Sequence, residues 1–406
     1  MSHKPWVVVT GDFQPRSGMG RPNYALAHYI AARGVQTHLV AHSIHPELLK
    51  CPSVTPHLVA KPLNSYALGA SHIARDGLLV AREIANQGGR VVVNGSNCDF
   101  PDVNWVHHVH VTDPSPPGGS ALFRAKHWFM RRRWQREEKA RIPRARQIIT
   151  TCRRTATDIQ NELGVAPERI SVVYLGTDTD AFRPLDSCAR VAIREQLNLP
   201  NDRPVLAFVG GMSDRRKGFD VLISAVMKMR AGGGFRAMLV AVGKGADVSH
   251  WQSVVRRERL DEYVRFIDFV PDIGAFFAAV DASVLPSRYE GYSLVTQESL
   301  CCGTPAIVTA TAGIAERYPF ELSHLLLPDC EDAQDLARRI ELVLSDVDKA
   351  RRDVSPFSEI LRAHTWDDMA AQMVRLIDPA LADALESVAP AQPRAATPAA
   401  APADFG

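Results

Sequence analysis

The chain has 406 residues, 46% of them hydrophobic and 23% charged, which is the composition of an ordinary folded protein. This length predicts two domains, each large enough to bury a core. The sequence has no run of 18 apolar residues, so we expect no membrane-spanning helix. The N-terminus lacks the long apolar stretch of a secretory signal, and the seven cysteines are scattered without a CxxC pair. We therefore expect a cytoplasmic protein without disulfides or a zinc site.

Positive charge is concentrated in one segment, residues 121–146. It holds ten Lys or Arg and two Glu, a net charge of +8 within a chain whose total is +2. Phe and Trp residues interleave with these cations, a mixture typical of a helix that lies on an anionic membrane surface. A nucleic-acid groove or a plain charged helix would use the same residue types. We expect contact with a membrane surface, at the inner face, and no nucleic-acid partner.

In chain order, short apolar runs alternate with helical patterns. Predicted strands of the first half are 6–10, 35–41, 90–94, 103–109, 147–151 and 170–174, and those of the second half are 205–210, 237–243, 264–267, 281–286 and 305–309. Helical periodicity lies between them, for example at 21–33, 219–230 and 293–302. This alternation occurs twice and predicts an α/β protein with two doubly wound parallel sheets that face a central cleft.

Four domain segments follow from the pattern. Residues 1–184 form the first domain and 185–360 the second, because Pro and Asp cluster near 180–200. Residues 361–380 have helical periodicity. The Pro/Ala-rich end of the chain, 381–406, is predicted to be disordered, since it cannot bury enough apolar surface to offset chain entropy.

Two loops lie between a predicted strand and a helix. The segment 16–23, RSGMGRPN, holds Gly18 and Gly20, which allow a ligand to approach the backbone closely. The segment 210–220, GGMSDRRKGFD, places three cations where a strand end meets a helix start, an arrangement that suits a diphosphate. By itself, the first loop is equally compatible with a simple tight turn, and for the second loop an exposed charged turn is the favoured interpretation.

The segment 287–307 carries the most specific motif. Seven residues separate Glu290, in the loop after a predicted strand, from Glu298, inside the following helix. The free amides at the start of that helix, residues 293–295, lie between the two carboxylates along the chain. A phosphate can bind these amides while the carboxylates accept hydrogen bonds from sugar hydroxyls on either side.

Three histidines lie within residues 107–110. In a strand, His108 and His110 would share one face and His107 the other. No acidic or Cys ligand is adjacent in sequence, so a metal site is the minority interpretation. One histidine lining the cleft and one packed in the core is the favoured arrangement.

Taken together, these segments resemble glycosyltransferase family 4, the retaining nucleotide-sugar enzymes of the GT-B fold. The resemblance covers roughly residues 6–378 and preserves the order of the motifs, including the EX7E pattern of Glu290 and Glu298. It implies that Glu290 contacts the transferred sugar, that Glu298 binds the ribose, and that no metal or other cofactor is required. It also implies that residues 361–380 cross back to the first domain.

The resemblance further implies a set of site residues. Arg216 and Lys217 would neutralise the diphosphate, the amides of Ser293 and Leu294 would hold the phosphates, and a histidine would line the reaction centre. The implied catalytic residues are Glu290, His110, His107, Lys217 and Arg216, with His110 favoured over His107. The implied donor-binding residues are Gly18, Gly20, Gly211, Arg216, Lys217, Glu290, Gly291, Tyr292, Ser293, Leu294 and Glu298. Many members have Arg at the position of Gly211, and here Arg215 or Arg216 supplies that charge instead.

The expected function is transfer of a sugar from a nucleotide-sugar donor to a glycan or lipid-linked acceptor, with retention of configuration, in cell-surface polysaccharide or glycolipid assembly. Two alternatives remain open: a GT-B epimerase or phosphorylase, and a non-catalytic nucleotide-sugar binding protein. The EX7E pattern argues against the epimerase, and the retained Glu290, Glu298 and Lys217 argue against loss of activity.

Overall fold

Two parallel sheets organise the chain. The computed structural model describes residues 3–114, 121–212, 215–233, 235–245 and 247–386. Its strands are β1 Trp6–Val9, β2 Asp12–Phe13, β3 Thr37–Ala41, β4 Ser43–Ile44, β5 Val54–Leu58, β6 Arg90–Asn94, β7 Val103–Val106, β8 Gln147–Thr150, β9 Ile170–Val172, β10 Val205–Val209, β11 Met238–Val242, β12 Val264–Ile267, β13 Ala282–Leu285, β14 Ala306–Thr309 and β15 Leu326–Leu327. The first sheet has the order β5-β3-β1-β6-β7-β8-β9, and the second β12-β11-β10-β13-β14-β15.

Helices connect these strands. They are α1 Gly20–Ala32, α2 Pro46–Leu49, α3 Tyr66–Asn86, α4 Ala121–Arg141, α5 Arg153–Leu163, α6 Ser187–Gln196, α7 Phe219–Ala231, α8 Val248–Arg257, α9 Ile273–Ala279, α10 Leu294–Cys301, α11 Ala333–Ser345, α12 Val347–Arg362, α13 Trp366–Ile377 and α14 Pro379–Glu386. None of the helices in the described ranges is both long and apolar enough to cross a membrane.

The strands form where the sequence concentrates β-branched residues. All four residues of β1 are fully buried, as expected for a central parallel strand covered by helices on both faces. In both sheets the strand order reverses near the centre, between β1 and β6 and again between β10 and β13. The α/β prediction of two doubly wound sheets is confirmed, and ligands of such sheets bind beyond the strand ends at these reversal points.

One strand prediction was too long. β7 ends at Val106, so His107 to His110 lie in the loop that follows it and not on a strand. Backbone pairing with β8 extends only to Val106 and Thr150. The alternation of faces expected for the three histidines therefore does not apply.

The C-terminal helices return to the first sheet. Helix α12 packs on α10 of the second unit, whereas α13 packs on α1 of the first. Two ion pairs accompany this crossing: Arg33 with Asp367 at 3.3 Å, and Arg90 with Asp378 at 3.0 Å.

The predicted start of the disordered tail at residue 381 was wrong. Residues 381–386 belong to α14, whose apolar side chains Leu381 and Leu385 are buried. These apolar side chains are buried because α14 packs on α13, a contact that the composition of the tail alone does not predict. Residues 387–406 lie outside the described part of the chain.

Candidate active site

Two loops meet at the reversal point of the second sheet. β10 leads into residues 210–212 and 215–218, and β13 leads into residues 286–293. Gly218 has a φ of +71°, and a Cβ there would lie 2.0 Å from the carbonyl oxygen of Pro286. Only glycine combines this backbone conformation with this approach, so it fixes the two loops against each other.

Three charged side chains form the centre of this contact. Lys217 Nζ lies 2.5 Å from Glu290 Oε2, and Arg216 Nη1 lies 3.6 Å from the same oxygen. Burial favours the neutral form of Glu290, but the two cations outweigh it and hold the pKa of this carboxyl below its usual value. Glu290 is therefore ionised, and the cluster carries one net positive charge from these three groups.

A buried arginine, Arg288, holds the loop that carries Arg216 and Lys217. The Arg288 guanidinium donates hydrogen bonds to both carboxylate oxygens of Asp220 and of Glu331, and to the carbonyl oxygen of Arg215. The Arg288 amide also donates to the carbonyl oxygen of Arg216 at 2.8 Å. The backbone that carries Arg216 and Lys217 is thus held in place before any ligand binds, which is the preorganisation that electrostatic catalysis needs.

Helix α10 starts beside this cluster. Ser293, which precedes its first residue Leu294, has a φ of 89°, a conformation rare for residues other than glycine. The Ser293 hydroxyl is hydrogen-bonded to the Thr296 hydroxyl at 2.8 Å. First-turn amides of a helix have no partner within the helix and favour an anion. The amides of Ser293 and Leu294 lie at this helix start, three and four residues after Glu290.

The loop that carries Glu290 also touches the first domain. A Cβ on Gly291 would lie 2.2 Å from the carbonyl oxygen of His107, so only glycine fits there. The Cys152 thiol donates to the carbonyl oxygen of Gly291 at 2.8 Å. Gly291 is thus a point of direct contact between the two halves of the molecule.

The three histidines have different surroundings. His108 interacts electrostatically with Arg216, Glu290 and Lys217, and its ring lies 4.8 Å from that of Tyr289. Burial, reinforced by His110 and the neighbouring cations, holds the pKa of His108 well below its usual value. His108 is accordingly a neutral imidazole at the charged cluster.

The two favoured histidines, His110 and His107, have other principal partners. The His107 ring lies 4.5 Å from that of Trp105 at an interplanar angle of 43°, and burial lowers the pKa of His107 to about 4. His110 is bound through Nδ1 to Glu138 at 2.6 Å. His108 was not among the predicted site residues, yet it is the histidine whose electrostatic partners are Arg216, Lys217 and Glu290. The roles of His110 and His107 came from the family resemblance and remain predictions.

The second carboxylate of the motif, Glu298, lies in a pocket between the two sheets. Arg21, Asp178 and Trp366 line the pocket together with it. Arg21 is paired with Asp178 at 2.7 Å and lies over the Trp366 ring. Burial raises the pKa of Glu298 to about 7, while Arg21 works to lower it and Asp178 to raise it. Neither Arg21 nor Asp178 was predicted as a site residue, because they are 157 residues apart and meet only through the fold.

The remaining predicted donor residues divide into two kinds. Gly18 faces open space, and Gly211 directly follows Gly210 at the end of β10. The backbone of Gly20, in contrast, packs so closely on Asp12 that a Cβ would lie 1.8 Å from its carboxylate. The side chain of Tyr292 is buried, and its hydroxyl accepts a hydrogen bond from Arg317. Gly20 and the Tyr292 side chain thus have packing contacts that explain their identity.

Within the described ranges, no three His, Cys, Asp or Glu side chains converge closely enough to hold a metal ion.

Comparison with known proteins identifies the class. The structure superposes on sucrose-phosphate synthase from Thermosynechococcus elongatus with a TM-score of 0.74 and 21% identity, covering 94% of this chain and 100% of that one. It also superposes on Anabaena Alr3699/HepE, solved in complex with UDP-glucose, with a TM-score of 0.68 and 17% identity, covering 93% of this chain and 100% of that one. These similarities show the GT-B fold, with two Rossmann-like domains.

The sequence matches then define the family. Residues 16–181 match the profile of Glycosyltransferase Family 4, and residues 203–346 match that of Glycosyl transferases group 1. The D-inositol 3-phosphate glycosyltransferase of Xylanimonas cellulosilytica is 29% identical over 56% of this chain and 55% of that protein. The match thus spans about half the length of this curated relative. The chain belongs to glycosyltransferase family 4.

Proposed function

We propose that this protein is a retaining glycosyltransferase that moves a sugar from a nucleotide-sugar donor to a glycan or lipid-linked acceptor without a metal ion. The observation that carries the proposal is the cluster at the start of α10, where Lys217 and Arg216 face Glu290. A diphosphate leaving group needs positive charge where its own negative charge develops, and two fixed cations with a helix N-terminus provide it.

The proposed reaction follows from this arrangement. The donor diphosphate binds Lys217 and Arg216 in place of Glu290. The Glu290 carboxylate then accepts hydrogen bonds from hydroxyls of the transferred sugar. The bond between the sugar anomeric carbon and the phosphate oxygen breaks, and a bond to the acceptor oxygen forms on the same face. The acceptor proton passes to the departing phosphate oxygen. His108, neutral and beside the cluster, hydrogen-bonds the sugar during transfer.

The ribose is assigned to Glu298. Its carboxyl lies eight residues beyond Glu290, within α10, and opens into the pocket shared with Arg21 and Asp178. Both oxygens of the Glu298 carboxyl can accept hydrogen bonds from ribose hydroxyls once the group is ionised, which with its raised pKa is the main form above about pH 7. HepE, of the same fold, was solved with UDP and with UDP-glucose, which supports a nucleotide-sugar donor here as well.

The outer face of α4 is proposed to contact an anionic membrane. Trp128 and Phe129 are 54% and 68% exposed, and the Arg132 guanidinium lies 4.3 Å from the centre of the Trp128 ring. Exposed aromatic rings beside cations suit the interface between lipid headgroups and acyl chains. A lipid-linked acceptor would then be presented beside the site. The seven cysteines are free thiols, which supports a reducing, cytoplasmic location for this face.

Donor binding is tested first by calorimetry with UDP, GDP and ADP, with and without EDTA. We expect one nucleotide to bind, and its affinity to be unchanged by the chelator. The corresponding sugar nucleotide is then supplied with candidate acceptors, D-inositol 3-phosphate among them because the relatives carry that name. NMR of the anomeric proton reports whether configuration is retained.

Each alternative function has its own outcome in this assay. Formation of an epimeric nucleotide sugar would indicate an epimerase, and turnover that requires orthophosphate would indicate a phosphorylase. Tight nucleotide binding without turnover of any acceptor would indicate a binding protein. An affinity that collapses in EDTA would contradict the metal-independent mechanism.

Membrane contact is tested separately by liposome flotation at low salt. Charge reversal of Arg131, Arg132 and Arg133 to Glu is expected to abolish binding to vesicles that contain phosphatidylglycerol. The matched control is reversal of Arg256 and Arg257, which are exposed on α8. Equal binding by wild type and the α4 variant would overturn the membrane proposal and leave the donor site untouched.

A further inference from the structure

The inner face of α4 holds a buried carboxylate. Glu138 is 2% exposed, and the structure surrounds its oxygens with N–H donors. Oε1 accepts from the His110 amide at 2.9 Å and from His110 Nδ1 at 2.6 Å, and Oε2 accepts from the Val111 amide at 3.2 Å. All three bonds go to two consecutive residues of the loop after β7.

Neighbouring side chains of the same helix hold His110 as well. Gln135 Nε2 donates to the carbonyl oxygen of His110 at 3.0 Å, and the Trp134 ring lies 5.0 Å from the imidazole. Side chains of α4 thus contact the amide, the carbonyl and the ring of His110. A surface helix that served only as a charged exterior would not need a buried carboxylate on its inner face.

The loop that contains His110 lies next to the charged cluster of Arg216, Lys217 and Glu290. The His110 ring packs edge-on against His108 at 4.6 Å, and His108 packs against Tyr289 at 4.8 Å. The Tyr289 hydroxyl in turn accepts from the Val109 amide at 3.3 Å. The loop therefore lies between α4 on one side and the segment that carries Glu290 on the other.

We propose that Glu138 is a positioning residue for the transfer reaction. It fixes His110 with the proton on Nδ1 and thereby holds the loop so that His108 faces Arg216, Lys217 and Glu290. Its importance for turnover rests on the function proposed above, whereas its effect on His110 does not. Through Glu138, the helix that carries the proposed membrane face is joined to the reaction centre.

The first test reads the state of His110 directly. Protein labelled with ¹⁵N-histidine distinguishes the two imidazole tautomers by NMR, and the His110 signals are assigned from a His110→Gln variant. We expect the Nδ1–H form in the wild type, and a shift to the Nε2–H form in Glu138→Gln and Glu138→Ala. An unchanged His110 tautomer in both variants would overturn the proposal. This test needs neither donor nor acceptor.

The second test separates positioning from folding. Glu137→Gln is the matched control, because Glu137 is the adjacent residue on α4 and pairs with Arg133 near the surface. In Glu138→Gln we expect kcat to fall about 10-fold or more, with the donor KM and the nucleotide affinity within about 3-fold of the wild type. Glu138→Asp, which keeps the carboxylate, is expected to recover part of the rate.

Three results would be decisive. Wild-type kcat in Glu138→Gln would overturn the positioning role. An equal loss in Glu137→Gln would assign the effect to charge or helix stability and would also overturn it. Failure of the wild type to bind any nucleotide would refute the proposed function instead, and the tautomer measurement would still decide the role of Glu138 toward His110.

Discussion

Glu298 provides a quantitative test of the pocket between the two sheets. Burial raises its pKa from 4.5 to about 7. Arg21, the cation that opposes this shift, is already paired with Asp178 at 2.7 Å. The folded protein therefore keeps a proton on Glu298 in a pH range where the unfolded chain has released it. The contribution of this pKa difference to the free energy of unfolding is therefore fully present below about pH 4.5 and is lost as the pH rises through about 7.

The size of the effect follows from the two pKa values. Between about pH 5.5 and pH 8.5, a carboxyl that titrates at 7 in the folded state and at 4.5 in the unfolded state lowers the free energy of unfolding by roughly 2 kcal/mol. Gln cannot ionise, so this part of the pH dependence disappears in Glu298→Gln. We expect the variant to gain about 2 kcal/mol over the wild type between the two pH values.

Urea unfolding of both proteins at the two pH values measures this difference. The double difference between proteins and pH values cancels the contribution of every other titrating group that the substitution leaves unchanged. Glu341→Gln is the control, because Glu341 is an exposed carboxylate on α11. A double difference below about 0.5 kcal/mol, within the usual effect of a surface substitution, would refute the assignment of Glu298 to a dry pocket.

Two further substitutions test the charged cluster and the contact between the domains. Lys217→Ala removes the closer of the two cations and leaves Glu290 with Arg216 alone. We expect kcat to fall at least about 100-fold, with partial recovery in Lys217→Arg. A loss below about 5-fold in a transfer assay would contradict the role assigned to Lys217. Gly291→Ala places a Cβ 2.2 Å from the carbonyl oxygen of His107, and we expect it to cost about 2 kcal/mol or more in urea unfolding. Gly18→Ala is the control, because Gly18 has open space around it, whereas Gly34 has a positive φ and is unsuitable. Equal stability of the Gly291 and Gly18 variants would show that the Gly291–His107 contact is not tight in solution.

The fold could be predicted from the sequence because its signals are local. Buried parallel strands require short β-branched runs, and those runs were found for the central strands of both sheets, such as β1 and β10. Four strands were not predicted. β5 and β15 lie at sheet edges, where burial is partial and the apolar pattern weak, and β2 and β4 are two-residue strands that pair with each other. The position of Glu290 and Glu298 around the start of α10 also follows from sequence, because loop and helix are consecutive in the chain.

The details of the site depend on long-range contacts that no local pattern encodes. The three histidines lie in the loop after β7, beyond the point where β7 stops pairing with β8, and one of them, His110, is bound by Glu138, 28 residues away. The pairing of Arg21 with Asp178 requires the first helix of one domain to meet the segment that joins the two. Such contacts become visible only when both domains are placed.

The segment from Glu290 to Glu298 links the proposed donor site to the contact between the domains. Gly291 touches His107 of the first domain, and Gln297 Nε2 donates to the carbonyl oxygen of Gly176 and to the Thr177 hydroxyl in the joining segment. The residues proposed to bind the sugar and the ribose are therefore interleaved with residues that hold the domains together. If the proposed function holds, a donor bound at the start of α10 contacts the same segment that packs against the loop of His107 and His108. We therefore expect a substitution at the Gly291 contact to change both the donor affinity and the placement of the histidine loop.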